Sequence, residues 1–373
     1  MATMDVFNGS AFSTTSLSGA IRKRPYRPQL LGSLGLFTPK PVRTREIFVD
    51  RKEGGLTLIP TSADGAPPES LDDTARDAVS LRTTRLTKRA TMYAHEVDGI
   101  RAFGSETELM QVQREFMDKM DRINEDMELT HEHHRLGALQ GLLLDADGTT
   151  VIYDYSAEFN EAIPAATSFE LDVSGTDVIG KTKDISRSMA RSALGNLAGA
   201  SIHALAGDDF YDALVTHPKI EKFYLNQVAA NQLREDQGNI FESFRVGNVT
   251  FHNYRGTDDN STVAVPSDEA KFFPIGATDV FSVAYSPLES MGFINTPGQR
   301  VYAMTIPDRE RNMWVKGELY SYPLYMCSQP PRSAQGDLDM SVIDVSNPTG
   351  RAKAVKVGSE MVVIQTRSQG QGS

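Results

Sequence analysis

SETELMQVQREFMDKMDRINEDMELTHEHHRLGALQGLLL, residues 105–144, is the stretch whose reading decides the fold. Ser105 and Glu108 have the Ser-x-x-Glu spacing of a capping box, in which each side chain takes one unpaired amide, so a helix is predicted to start at Glu106. Leu109, Val112, Phe116, Met120, Ile123 and Met127 then recur at steps of three and four, while Gln113, Lys119, Asp121, Arg122 and Glu125 fill the other faces. Neither Pro nor Gly interrupts the segment before Gly137. A helix over 106–136 is about 45 Å long at 1.5 Å per residue. That exceeds the usual globular length, and the segment reads as a spine across which other elements pack.

Downstream, Leu142-Leu143-Leu144 and Val151 to Tyr155 read as strands joined at Asp145-Ala146-Asp147-Gly148. Ser168 to Val173 suggests a third strand. Asp184 suggests the cap of a helix through Ile185, Met189, Ala193 and Leu197 to about Leu205. Asp208 to Asn226 suggests another helix. Strand runs follow at Phe244–Tyr254, Lys271–Ile275, Val280–Tyr285, Arg300–Thr305 and Trp314–Leu324. The class is α+β, with no regular βα repeat.

Upstream, Met1 to Ala20 is a polar Ser- and Thr-rich arm. Arg22, Lys23, Arg24 and Arg27, interrupted by Pro25 and Pro28, make a basic extended cluster that is either solvated or docked on acidic neighbours or nucleic acid. Glu46 to Val49 and Leu56 to Ile59 flank Glu53-Gly54-Gly55 as a hairpin would. Ala63 to Ser70, with Gly65, Pro67 and Pro68, suggests an exposed loop. Val79 to His95 is a second extended stretch carrying Arg82, Arg85, Lys88 and Arg89. A two-stranded ribbon so poor in apolar residues is marginal alone and needs a partner surface. It points to a subunit that completes itself in an assembly.

A chain of 373 residues has ample apolar content for a core in two domains or one elaborated domain. Met1 to Ala20 lacks a basic leader and an apolar core, and no run approaches the roughly 18 apolar residues of a membrane span. The product is expected to stay in the compartment where it is made. Cys327 is the single cysteine, which excludes an intrachain disulfide framework and a cysteine-based zinc site. The net charge of -11 disfavours a uniformly basic coat on nucleic acid, although a local basic strip is compatible with it.

Two stretches imitate enzyme motifs. Leu142 to Thr149 resembles the first motif of haloacid-dehalogenase-type phosphatases, with Asp145 as nucleophile, Asp147 as proton donor and Gly207-Asp208 as a later acidic magnesium site. Those enzymes place both motifs on a doubly wound parallel sheet. Here a rod-like helix precedes the first, and Ser201 to Leu205 reads as helix before the second. The competing reading is an Asp-Gly turn with locally bonded carboxylates. Gly175 to Thr182 satisfies the Gly-x4-Gly-Lys-Thr pattern of a phosphate-cradling loop. In such a loop the Lys and Thr open the helix, so that its amides face the phosphates. Asp184 as cap leaves Lys181 and Thr182 ahead of it.

His131, His133 and His134 suggest metal, yet the zinc-protease pattern needs His where Arg135 stands. A polar helix face near its C-terminus is the simpler reading. No Ser-His-Asp arrangement and no stacked aromatic pattern of a single-strand binder is discernible.

A longer set of blocks makes sense of the rest. Arg135 to Gly141 running into Leu144-Asp145-Ala146-Asp147-Gly148 after a long helix resembles the phage lambda-type major capsid proteins, the phage capsid protein E family. Val249 to Gly256, Ala270 to Gly276, then Phe281, Ala284 and Tyr285-Ser286-Pro287, are similar to later elements of that family, as are Phe293 to Gly298 and Gly317 to Leu324. Order and spacing agree from about Leu36 to Pro331. The resemblance implies the Hong Kong 97-like capsid fold: an N-terminal arm over 1–40, an extended β-ribbon loop over 41–97, a peripheral domain over 98–206 with the spine helix, and an axial domain with return to the peripheral sheet over 207–331. It implies a major capsid protein of a tailed double-stranded DNA bacteriophage, assembled in the host bacterial cytoplasm into hexamers and pentamers of an icosahedral shell and located in the virion. The partners implied are copies of itself, a portal, a scaffold, a decoration protein and weakly held DNA, with no membrane. No catalytic, cofactor-binding or metal-binding residue is implied. A related shell that encapsulates cargo instead of DNA would share the fold. Residues 332–373 stay unassigned; strand-like Ser341 to Val345 and Met361 to Ile364 could return to a sheet, join a neighbour's edge or form a hairpin.

Overall fold

The computed structural model describes residues 30–52, 76–97, 108–159, 167–192, 199–221, 243–254, 256–257, 263–277, 280–327 and 342–344. In chain order these give helix α1 (Leu30–Ser33), strands β1 (Thr38–Pro41), β2 (Glu46–Lys52), β3 (Arg76–Arg82) and β4 (Leu86–Tyr93), and helices α2 (Ala94–Val97) and α3 (Glu108–Gln140). Then come β5 (Leu142–Leu144), β6 (Val151–Asp154), α4 (Tyr155–Phe159), α5 (Val178–Ser192), β7 (Ser201–Ala206) and α6 (Asp208–Thr216). The remainder is β8 (Ser243–Val246), β9 (Val249–Asn253), β10 (Glu269–Ile275), β11 (Phe281–Tyr285), a 3-10 turn (Met291–Phe293), β12 (Tyr302–Pro307), β13 (Trp314–Ser321), β14 (Pro323–Cys327) and β15 (Val342–Asp344). The described residues fall into two compact units, one lying within 39–127 and 283–324, the other within 30–38, 128–282 and 325–344. No helix among the described residues is long and apolar enough to cross a membrane.

The first unit is built on the apolar stripe of α3. Phe116, Met120, Ile123 and Met127 are buried, at the spacing the sequence predicts, against Met92, Val301, Ala303, Val315 and Leu319. Those partners lie on the antiparallel sheet β12-β13-β4, except Val301, which immediately precedes β12. Along β13 burial alternates strictly, as a sheet covered on one face requires. Gly317 sits where the helix comes closest: a Cβ there would lie 2.3 Å from Met120 Sδ and 2.8 Å from Phe116 Cζ. The strand β2 pairs with β3, Phe48 opposite Ser80, and the hairpin expected with Leu56 to Ile59 falls outside the described residues. The expected extended stretch 79–95 is likewise two strands. At their junction Thr83 N–H donates to the Arg45 carbonyl (3.0 Å) and Thr84 N–H to the Pro323 carbonyl (3.0 Å), so β3 stays in the two-stranded ribbon while β4 joins β13.

The second unit is organised by a five-stranded sheet in the order β15-β10-β7-β9-β8, antiparallel except for the β7–β9 pair. One face carries Ile202, Ala204, Ala206, Phe251 and Phe272 under Val178, Ile185 and Met189 of α5 and Phe210, Tyr211 and Leu214 of α6. The other carries Leu205 and Phe273 against Leu136, Leu139, Leu30, Leu31, Phe281 and Cys327. Burial on both faces explains why Ser201 to Leu205 misleads. A central strand reads as a continuous apolar run, and Ala and Leu are good helix formers. A three-stranded sheet β1-β11-β14 and the β5–β6 hairpin complete the inventory.

Further boundaries differ from expectation for local reasons. The predicted cap Ser105 lies outside the described residues. The helix α3 passes Gly137 and ends at Gln140, because Gly137 serves close approach: a Cβ there would lie 2.8 Å from the Leu142 carbonyl. Gly141, at φ +79°, is what turns the chain out of the helix. Residues 168–173 form no strand; Glu170 has φ +48°, and its carbonyl accepts the Thr176 hydroxyl at 2.9 Å. The helix α6 stops at Thr216 because Pro218 holds His217 extended. Residues 244–254 are a hairpin turning at Gly247-Asn248, and 314–324 hold two strands separated at Tyr322. The strand β15 of the unassigned C-terminus lies on the outer edge of β10.

Replacing Gly317 by Val should force the α3 side chains off the sheet. The expected loss is about 1–3 kcal/mol, the usual cost of overpacking. It would be read as a lower urea midpoint with an unchanged m-value.

Candidate functional site

The acidic turn after β5 is occupied by its own backbone. Asp145 Oδ1 accepts the Ala146 amide at 2.8 Å. Asp147 Oδ1 accepts the Thr149 and Thr150 amides at 3.0 and 2.8 Å, and its Oδ2 accepts the Thr150 hydroxyl at 2.6 Å. The Thr150 hydroxyl and amide hold the Asp147 carboxyl well below the usual carboxylate range. A proton donor at neutral pH needs the opposite shift. The later acidic pair does follow a strand, because 201–206 is β7 and not the expected helix. That strand belongs to the five-stranded sheet, whereas β5 pairs with β6 in a separate antiparallel hairpin. Asp145 and Asp147 are thus turn-forming residues.

The Gly175 to Thr182 pattern has a similar outcome. The helix α5 starts at Val178 and not after Asp184, and Asp177 is the residue that caps it, its Oδ1 accepting the Gly180 amide at 3.0 Å. A carboxylate of the chain stands where a phosphate would take that amide. Lys181 Nζ donates to the Ser168 carbonyl at 2.9 Å and to Glu170 Oε2 at 3.0 Å, and the buried Thr182 donates its hydroxyl to the Ile179 carbonyl at 2.8 Å. Among the described residues 167–177 no strand leads into the loop. Asp184 instead forms an exposed i,i+3 pair with Arg187.

The histidines lie differently from the polar face expected of them. His131 and His134 are fully buried, and His133 is half-buried, its Nε2 3.1 Å from the Asp145 carbonyl. They belong to a buried polar cluster that the sequence reading missed. Its centre is Glu132. Oε1 accepts the Leu31 amide at 2.8 Å, while Oε2 accepts the Gly32 amide at 3.2 Å and Arg135 Nη1 at 2.9 Å. Arg135 stacks on the Tyr325 ring, 5.4 Å from its centroid. The Tyr325 hydroxyl lies 3.0 Å from His131 Nδ1, and the Tyr325 carbonyl accepts the Tyr155 hydroxyl. Phe37 meets Phe281 and Tyr325 edge-on, at centroid distances of 5.5 and 5.1 Å. Burial pushes the Glu132 carboxyl up, against the opposing pull of Arg135 and the two amides. The arrangement fastens residues 30–37 to the end of α3.

A second pair joins β7 to β9. His203 Nδ1 lies 2.8 Å from His252 Nε2 with the rings stacked, and Ser201 Oγ lies 2.9 Å from His203 Nε2. Burial pushes His252 down to about 4, and burial followed by the Arg245 charge lowers His203. Among the described residues no group of three or more His, Cys, Asp or Glu is placed to hold a metal ion. The only cue to either cluster in the sequence was ionisable residues inside apolar runs, such as Glu132 and Arg135 beside Leu136 and Leu139.

Comparison with known proteins extends over nearly the whole chain. The family model described as Phage major capsid protein E matches residues 13–337. The major capsid protein of Salmonella phage Felix O1 (isolate Felix O1-VT1) is 24% identical over 351 residues, covering 86% of this chain and 95% of that one. The major capsid protein of Pseudomonas phage KPP10 is 25% identical over 229 residues, covering 57% and 65%. A solved structure described as a prophage capsid protein of E. coli CFT073 superimposes with a TM-score of 0.52 at 11% identity, over 90% of this chain and 99% of that one. That last likeness speaks to the fold.

The buried rings set an acid limit on the fold. Burial moves His134 from 6.5 to about 4, and neither ring nitrogen has a hydrogen-bond partner among the described residues. The neutral ring is the folded form, so the stability it allows is complete above pH 6.5 and falls as the unfolded chain takes up protons between 6.5 and 4. The shift corresponds to roughly 3 kcal/mol at 1.36 kcal/mol per unit. His252 acts in the same direction over the same window. Urea denaturation of the unassembled chain should weaken from pH 7 to pH 4, and His134→Phe should remove about half of that decline.

Proposed function

The chain belongs to the phage major capsid protein E family, and on that premise we propose that copies of it form hexamers and pentamers that close an icosahedral shell around double-stranded DNA in the virion of a tailed phage. The observation that carries this reading is the family match across residues 13–337. The ribbon β2–β3 supports it. Phe48 is 67% exposed there, and among the described residues β2 and β3 form a two-stranded sheet by themselves. The root of the ribbon, by contrast, is fixed. The Thr83 hydroxyl donates to Ser286 Oγ at 2.9 Å, which donates in turn to the Thr44 carbonyl at 2.8 Å. A rigidly rooted, incompletely buried ribbon suits a lever laid across a neighbouring copy, where both gain apolar burial.

The finer organisation follows from the same premise. Residues 1–40 would act as the arm, 41–97 as the extended loop, and the spine helix as the backbone of the peripheral domain. The axial domain would run from about residue 207, with β7 contributing the strand that precedes it to the sheet of β8, β9 and β10. Assembly would take place in the host bacterial cytoplasm, with a portal, a scaffold and a decoration protein as partners. A net charge of -11 suits a wall that holds packaged DNA only weakly.

Electron microscopy and sedimentation of the expressed chain, alone and with candidate scaffold, should show closed shells or capsomer rings; a uniform monomer under every such condition would overturn the reading. Replacing residues 49–79 by Asn-Gly closes the ribbon at the facing pair Phe48 and Ser80. That variant should fold with a near-wild-type urea midpoint and form no shells.

A further inference from the structure

We propose that Ser201 is a covalent modification site, a serine activated by His203 and His252 that takes one acyl group from an activated ester or thioester. The fold brings the three side chains together, His252 lying 49 residues beyond His203. Ser201 and His203 are two residues apart on β7, so both project from the same face of the five-stranded sheet. On the parallel strand β9, Thr250 stands opposite His203 and His252 opposite Leu205. The His252 ring therefore reaches His203 along the diagonal, with the two rings 9° from parallel. Ser201 Oγ lies 2.9 Å from His203 Nε2, and His203 Nδ1 lies 2.8 Å from His252 Nε2. A hydroxyl, a base within hydrogen-bond reach and a third group that orients the base are the parts an activated nucleophile needs.

The network fixes where the protons sit. A serine hydroxyl that donates to Nε2 requires a neutral ring carrying its own proton on Nδ1, and that proton is donated to His252 Nε2. The surroundings keep the ring neutral. Burial, followed by the charge of Arg245 on β8, lowers His203, while from β10 the Phe273 ring faces it at a centroid distance of 6.1 Å. Behind it, His252 is buried and lowered as well. Ser201, by contrast, is exposed, and the turns beside it carry Gly199 (φ +84°) and Gly276 (φ +82°), which have no side chain to screen the hydroxyl. A pair that only tied β7 to β9 would be complete without the serine. In the reaction Oγ attacks the carbonyl carbon, and the Oγ–C bond forms as the bond to the leaving oxygen or sulfur breaks. The hydroxyl proton passes to His203 Nε2 and from there to the departing alcohol or thiol, so His203 ends neutral and nothing is oxidised or reduced. His252 is a positioning residue, holding the transient imidazolium through Nδ1–H. One acyl group per chain is the product, a modification and not a turnover.

The test incubates the full unassembled chain with p-nitrophenyl acetate and maps the acetyl groups by mass spectrometry of the digest. Ser201 should acetylate about a hundredfold faster than any other serine, the usual contribution of a general base. Its rate should rise with pH to a plateau, with a midpoint below the 6.5 of an ordinary histidine. Ser201→Ala should lose this label and keep the urea midpoint, and His203→Gln should slow labelling of Ser201 about a hundredfold. His252→Phe should slow it too and displace the midpoint of the pH profile. His252→Gln, whose Oε1 still accepts from His203 Nδ1, should restore most of the rate, a rescue that a space-filling role for His252 would not produce. Acetyl groups confined to lysines, Ser201 labelled no faster than other serines, or a pH profile without an inflection below 6.5 would each overturn the proposal, and the first two are read on the wild-type chain without any variant. None of these outcomes bears on shell formation, which microscopy reads separately.

Discussion

The carboxylate of Glu132 holds two distant parts of the second unit together. A buried charge is tolerated only when it is paired and its lone pairs are satisfied, and here two amides and one guanidinium do so at 3.2 Å or less. The arrangement couples parts of the chain a hundred residues apart: Leu31 and Gly32 on one side, α3 on the other. Removing the carboxylate would leave Arg135 buried and uncompensated, at a cost of about 3–5 kcal/mol, far above that of breaking a surface pair. The neighbouring groups are fixed as a consequence. Arg135 sets the Tyr325 ring, which sets His131 and the edge of Phe37. Apolar residues would supply comparable stability here; what the charges add is a single permitted position for the segment 30–37.

The first unit relies on a different economy. Its core is one face of a sheet under one stripe of helix, and the opposite face of that sheet, with Met304, Trp314 and Tyr320, is only partly covered. A protomer with one well-filled layer and one open layer is stable enough to fold and still has apolar area to gain by assembling. Many such modest contacts per copy make a closed shell durable although each is weak. The exposed Phe48, Met291, Ile294 and Met313 all belong to this unit.

The fold was legible where a single period governs burial. The α3 stripe could be read because one face of a helix meets one face of a sheet, and β5, β6, β10 and β11 could be read because turns or charged residues bound them. The reading failed where a strand buried on both faces is built of good helix formers, or where pairing is remote. β7 is covered on both faces and so lacks the alternation that marks a strand. β2 pairs with the distant β3, and nothing local in the sequence marks Arg76 to Arg82 as its partner. The histidines illustrate a third limit. A cluster such as His131, Glu132, His134 and Arg135 looks polar until Leu31, Gly32 and Tyr325 are brought to it by the fold.

Both enzyme-like patterns arise from one physical demand. A backbone that leaves a strand or enters a helix exposes amides with no partner in the regular element, and a short carboxylate side chain is the most economical acceptor. Asp147 serves the amides of Thr149 and Thr150, and Asp177 serves that of Gly180. Phosphatases and phosphate-cradling loops arise from the same exposed amides and the same carboxylates, differing in whether the acceptor is the chain itself or a ligand. Motif letters alone therefore do not separate the two cases. What separates them is occupancy of the amide, and in this chain both turns are closed by their own residues.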